Sequence, residues 1–263
     1  MRGFVLRIYP WAAPFLAAAA FAATYASVHS VPAAAPYAIP ALGAFAAAIV
    51  AIAAYGIARI GQARRAAALT AATPAALTAA AFGFFLVADS GVGAAAIAGS
   101  SALLAAAYLG YLRGMVKGDG RFRAPDFSHL SFAVHVVTVF FTLAVAYGMP
   151  DYLQLPVSYA AVAVAAVMAI AAAESLRRAG LAGRDVVVPS AAFAALGVQL
   201  FIGFSFLPTS DLVNAAAGTL LYASGLRVAV AMLDAKAPAP AYGRSFAFTL
   251  LLVVIVLSTA RWA

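Results

Sequence analysis

Stretches of about twenty mostly apolar residues with few or no charges recur along this chain, and as helices they match the hydrocarbon thickness of a bilayer. Nine are delimited, at about 9–30, 37–58, 70–88, 92–112, 130–149, 156–176, 186–207, 211–233 and 244–260. Of the 263 residues, 66% are hydrophobic and 9% charged. A soluble domain carries roughly a quarter charged residues, so this chain cannot cover its own surface in water. The expected fold is all-α: a polytopic integral membrane protein of about nine transmembrane helices. Its alanine and glycine allow those helices to approach closely.

The first stretch also fits a signal peptide, with Arg2 and Arg7 ahead of an apolar run and small residues near position 20. It is read as a span because the internal repeat described next needs it as its first member. Orientation follows from the Lys/Arg asymmetry of short loops. With the N-terminus inside, 14 of the 16 basic residues face the cytoplasm, while the outer turns carry Asp89, Asp151 and Asp211 and no Lys or Arg. The expected location is a bacterial cytoplasmic (inner) membrane.

The repeat is seen between residues 48–61 and 166–179, where Ile52 matches Ile170 and Arg59 matches Arg177, both at an offset of 118. Pro74 and Pro189, each read as opening a third helix, match at 115, and Met115 and Met232 at 117. Repeats of this kind point to two tandem four-helix units, 1–115 and 130–234, joined by a cytoplasmic loop at 116–129 and followed by a ninth helix at 244–260. An even helix number per unit makes the units parallel, as in carriers whose repeats are related by an axis along the membrane normal.

Ionisable groups at membrane depth are costly and mark candidate sites. Glu174, the one glutamate in the chain, lies about one turn inside the cytoplasmic end of the sixth span, and Arg227 about two turns inside that of the eighth. The two either face each other as a buried pair, or Glu174 pairs along its own helix with Arg177 or Arg178 while Arg227 snorkels to the interface. His135 in the fifth span has no second His or Cys at ligand spacing, so it is expected to bond a neighbouring helix and no metal site is expected. Gln199 and Asn214 are amides on neighbouring helices, suited to gluing helices together or to lining a small polar cavity. Asp211, and Asp89 or Ser90, are expected to cap the eighth and fourth helices. Glu174, Arg227, His135, Gln199 and Asn214 form the candidate substrate-binding set.

The longest inner loop, 116–128, mixes glycine, proline, aromatic and basic residues, and Lys117, Arg121 and Arg123 are its candidate contacts with lipid headgroups or a partner. Gly118-Asp119-Gly120 lacks the Gly-Lys-Ser/Thr tail of a phosphate loop. A pI near 10.0 does not imply nucleic acid when the basic residues sit at helix ends. Cysteine is absent, which removes disulfides and thiolate chemistry, and no recurrent hydrolase or zinc motif occurs. No cofactor and no catalytic residue is expected. The expected function is that of a transporter-like or lipid- or small-molecule-handling protein working between two repeated units, because the second unit alone carries an acid and a base at membrane depth, Glu174 and Arg227. The alternative is a non-catalytic scaffold or accessory subunit of a larger membrane complex. The expected partners are membrane lipids and a membrane protein or a second copy.

Overall fold

A computed structural model of the protein describes residues 12–24, 35–84, 91–154, 156–233 and 239–260. Among these residues the chain is all-helical: α1 (Ala12–Thr24), α2 (Ala35–Ala58), α3 (Arg64–Phe84), α4 (Gly91–Lys117), α5 (Ala124–Leu153), α6 (Val157–Arg178), α7 (Arg184–Ser205), α8 (Asp211–Leu233) and α9 (Ala239–Thr259). Seven of these, α2 to α8, are long and apolar enough to cross a bilayer. The apolar parts of the first and last are shorter, at Ala12–Thr24 and Ala247–Ser258.

The helices outrun several of the apolar stretches that announce them. α3 starts six residues before position 70, because Arg64 and Arg65 continue its first turn. Pro74 therefore lies in the interior of α3 and Pro189 within α7, and neither opens its helix. α5 begins at Ala124, with Pro125 in the first turn, where the missing N–H has no intrahelical partner to lose. The inner loop shrinks accordingly to residues 118–123. Pro150 sits inside α5, not in the turn after it, whereas Pro156 does flank α6 as its N-cap. Asp211 is the first helical residue of α8, so Ser210 holds the cap position that sequence gave to Asp211. Asp89 and Ser90 lie outside the described residues.

Two helix ends share one device. At the end of α4, Gly118 adopts φ 72°, its N–H donates to the Met115 carbonyl, and the Asp119 N–H reaches back to Gly114 O. At the end of α6, Gly180 has φ 92°, its N–H donates to Arg177 O, and the Leu181 N–H reaches Leu176 O. Both are Schellman endings, which satisfy carbonyls left over at a helix terminus and need a left-handed residue.

The chain divides into two compact units, residues 1–138 and 139–263, with the division inside α5. In unit 1, α2 packs on α3 and on α4, and α3 packs on α4. The contact stripe of α2 is small or slim: Ala46, Val50, Ala54, Ile57 and Ala58 are fully buried. Gly43 lets the Phe82 ring sit directly on the α2 backbone, since a Cβ there would stand 3.0 Å from Phe82 Cβ. Phe82 in turn meets Phe21 of α1 with ring centroids 3.9 Å apart.

In unit 2, α6 packs on α7 and α8, α7 on α8, and α8 on α9. Ala160, Val164, Met168, Ala172 and Leu176 form the buried stripe of α6. Every residue from 141 to 148 in the second half of α5 is buried. Lipid tails are as apolar as leucine, so close van der Waals packing holds these helices, with little hydrophobic contribution.

Gly197 shows how tight that packing is. A Cβ at this position would fall 1.8 Å from Met168 Sδ, and Met168 is itself fully buried, so it has to repack within the core. Gly197→Ala is expected to destabilise unit 2 by about 1–3 kcal/mol. Gly99→Ala, where a Cβ meets nothing within 4 Å, is expected to be neutral or to stabilise by up to about 1 kcal/mol. Thermal unfolding of the two variants in detergent checks the pair, and equal effects would contradict this packing.

Candidate functional site

The interior of α3 is where backbone chemistry forces a polar cluster. Pro74 has no N–H, so the carbonyl four residues earlier, at Thr70, loses its helical donor. In a membrane that carbonyl has no water to bond. Tyr108 of α4 supplies the missing donor, its hydroxyl reaching Thr70 O at 3.1 Å. The Thr70 hydroxyl donates to Gln62 Oε1 at 3.0 Å, and the Thr78 hydroxyl to Pro74 O at 2.9 Å. One residue before the proline, Thr73 Oγ1 shares a hydrogen bond of 3.0 Å with His135 Nε2 of α5. His135 is 3% exposed, and its tie to α3 is the helix-to-helix bond expected of it. Ser131, one turn before His135 and on the same face of α5, is buried with no hydrogen-bond partner for its hydroxyl among the described residues.

In unit 2, Glu174 is completely buried. Its Oε1 accepts from Arg178 Nε at 3.0 Å and also from Arg178 Nη2, an intrahelical i,i+4 pair. The acid precedes the base along the helix, the favourable order. Arg227 is exposed on α8. Asn214 is buried and staples the α7–α8 turn: it accepts from Thr209 Oγ1 at 2.5 Å and donates to Thr209 O at 3.4 Å. It does not bond Gln199, because its side chain turns back to the start of its own helix. Gln199 is exposed on α7 with no hydrogen bond among the described residues.

The basic loop of residues 118–123 is a folded platform. The Phe122 ring lies on Gly114, where a Cβ would come within 2.3 Å of the ring, and meets Tyr111 edge-on at 5.0 Å. The Tyr111 ring stacks on Phe127 at 5.7 Å, and its hydroxyl donates to Asp126 Oδ2 at 3.1 Å. Arg121 grips Asp119 through Nε at 3.2 Å and Nη2 at 3.0 Å. Hydrogen bonds from the guanidinium and from the Arg121 N–H hold the Asp119 carboxyl below its ordinary range. Lys117, Arg121 and Arg123 are all exposed.

A shallow recess in unit 1, lined by Ala17, Phe21, Thr78, Ser101 and Ala105 among others, has no space for a water molecule. No group of three or more metal-ligating side chains occurs among the described residues. Sequence reasoning missed Tyr108 and Tyr222, whose hydroxyl donates to Met168 O at 2.5 Å. The signal for Tyr108 is in the sequence, since Pro74 inside a helix implies an open carbonyl at Thr70, whereas a proline at a helix start implies none. Comparison with protein-family models, curated proteins and solved structures finds no match, so function is argued from geometry.

The Tyr108 bond has a specific test. Tyr108→Phe strands the Thr70 carbonyl and is expected to cost about 1–3 kcal/mol. In a Pro74→Ala background the restored Ala N–H bonds Thr70 O, and the same tyrosine change is expected to cost well under half as much. A double-mutant cycle from unfolding in detergent reads the coupling; additive effects would contradict it.

Proposed function

We propose that the protein is a non-catalytic membrane scaffold or accessory subunit that seats a membrane-embedded partner on the outer face of α7. Gln199 carries this reading. It lies about 9 Å from the C-terminal end of α7 at 1.5 Å per residue, inside an apolar span, and its amide is turned outward. An amide facing lipid tails leaves donors and acceptors unmet, which is costly; facing another helix it becomes glue.

The residues along the same line support it. Val187, Ala191, Ala195, Gln199 and Gly203 recur every four residues and are all exposed. This is the small-xxx-small spacing that lets two transmembrane backbones approach. Only 22% of the most apolar stretch of α7 is buried, the smallest share among the seven long helices. The other polar side chains, by contrast, are largely taken up within their own unit. The partner is a second copy or another membrane polypeptide, in a bacterial cytoplasmic membrane, with the N-terminus and the basic turns inside.

A second reading, carriage of an apolar or amphiphilic cargo touching Glu174, Arg227, His135, Gln199 and Asn214, has one observation in its favour. The order of helix pairing is the same in the two units, α2 with α3 and α4 in one and α6 with α7 and α8 in the other, which supports the duplication that this reading needs.

One preparation separates them. Light scattering of the full-length protein in mild detergent is expected to give a mass above the monomer, and Gln199→Leu is expected to release the partner. A clean monomer in the wild type, or an assembly indifferent to Gln199→Leu, would overturn the scaffold reading. Lower amphiphile flux in proteoliposomes with unchanged mass would put the carrier reading in its place.

A further inference from the structure

Unit 1 gathers an unbalanced positive charge at one end. The α2–α3 turn brings Arg59, Arg64 and Arg65, and the α4–α5 loop brings Lys117, Arg121 and Arg123, all exposed. The two segments adjoin: a Cβ on Gly61, in the first, would stand 3.9 Å from Val116 Cγ2, just before the second. Among the described residues two carboxylates, Asp119 and Asp126, share this end, and both are already engaged, Asp119 by Arg121 and Asp126 by the Tyr111 hydroxyl. Six cations against two carboxylates leave four positive charges (6 − 2), even without the half-buried Arg113.

We propose that this surface binds acidic phospholipid headgroups. The cations sit at the very ends of membrane-spanning helices, since α3 starts with Arg64 and Arg65 and α4 ends with Lys117. That is the depth of the headgroup layer, where each basic side chain gains from anionic lipid. Tyr111 and Phe122 lie at the same level, as interfacial aromatics do. A soluble polyanion would need none of this placement. The Schellman ending and the Phe122–Gly114 contact hold the loop in one shape, so the charges form a fixed surface and little ordering is left for binding. The inference is independent of whether α7 seats a partner.

The test uses the full-length protein reconstituted in mixed bilayers with spin-labelled phosphatidylglycerol or phosphatidylcholine. The motionally restricted fraction of each label gives their relative association. The wild type is expected to prefer phosphatidylglycerol several-fold, at up to about fivefold per contributing charge, and the preference is expected to collapse in 1 M NaCl, where the Debye length is about 3 Å. Arg64→Gln/Arg65→Gln/Lys117→Gln/Arg123→Gln is expected to bring the ratio to about one, whereas Arg184→Gln/Arg244→Gln in unit 2 is expected to retain it. Equal association of both labels with the wild type would overturn the proposal, whatever the variant's folding or insertion. So would a preference that survives salt, or one that millimolar inorganic phosphate removes, which points to a free anion.

Discussion

A peptide carbonyl buried in hydrocarbon must find its donor within the protein, because no water is there to supply one. That constraint accounts for many of the side-chain hydrogen bonds among the described residues. Pro74 breaks the ladder of α3, and Tyr108 mends it from the neighbouring helix. Other hydroxyls fold back onto their own helix: Thr24 to Ala20 O, Thr138 to Val134 O and Ser190 to Val186 O, each about one turn away. Tyr222 takes a further bond to Met168 O across unit 2, and Ser224 donates to Thr249 of α9 at 2.6 Å. These bonds are modest singly, about 0.6 kcal/mol in membranes. For the bonds between helices, position matters more than strength, because each fixes which helix faces which.

The same logic sorts the candidate site residues. His135 is held by Thr73, Glu174 by Arg178 and Asn214 by Thr209, so each contributes to the structure of its own unit. Gln199 does not fit that pattern, being polar, at membrane depth and turned outward. On the proposed reading, this amide on a slim, small-residue ridge is what would let α7 assemble with a partner. The chain's charges are concentrated elsewhere, at the helix ends of unit 1, on a loop stiffened by aromatic stacking.

Hydropathy made most of the architecture legible before any coordinates. The all-helical class follows from runs of twenty apolar residues, and the span predicted at 211–233 coincides with α8. The i,i+4 partner of Glu174 and the helix-bonding role of His135 were also within reach of spacing alone. Helix ends were not. Apolar runs measure the part of a helix in lipid, whereas α3 and α5 continue for about six residues beyond it through Arg64–Arg65 and Ala124–Pro125. That single error hid Tyr108, because a proline at a helix start strands no carbonyl and one in the interior does. The direction of Gln199 was illegible for another reason: an alanine-rich helix has no polar face from which to infer which side is buried.

Hydrogen–deuterium exchange of the full-length protein in lipid nanodiscs reads the central constraint directly. If polar groups in each unit are satisfied internally and the packing is dry, amides at residues 70–78 of α3 and 168–176 of α6 stay protected for hours, while those of the exposed loop at 118–123 exchange within seconds. Rapid exchange around Pro74 and Glu174 would mean that water reaches both places, and the view of these residues as internal ties would be wrong.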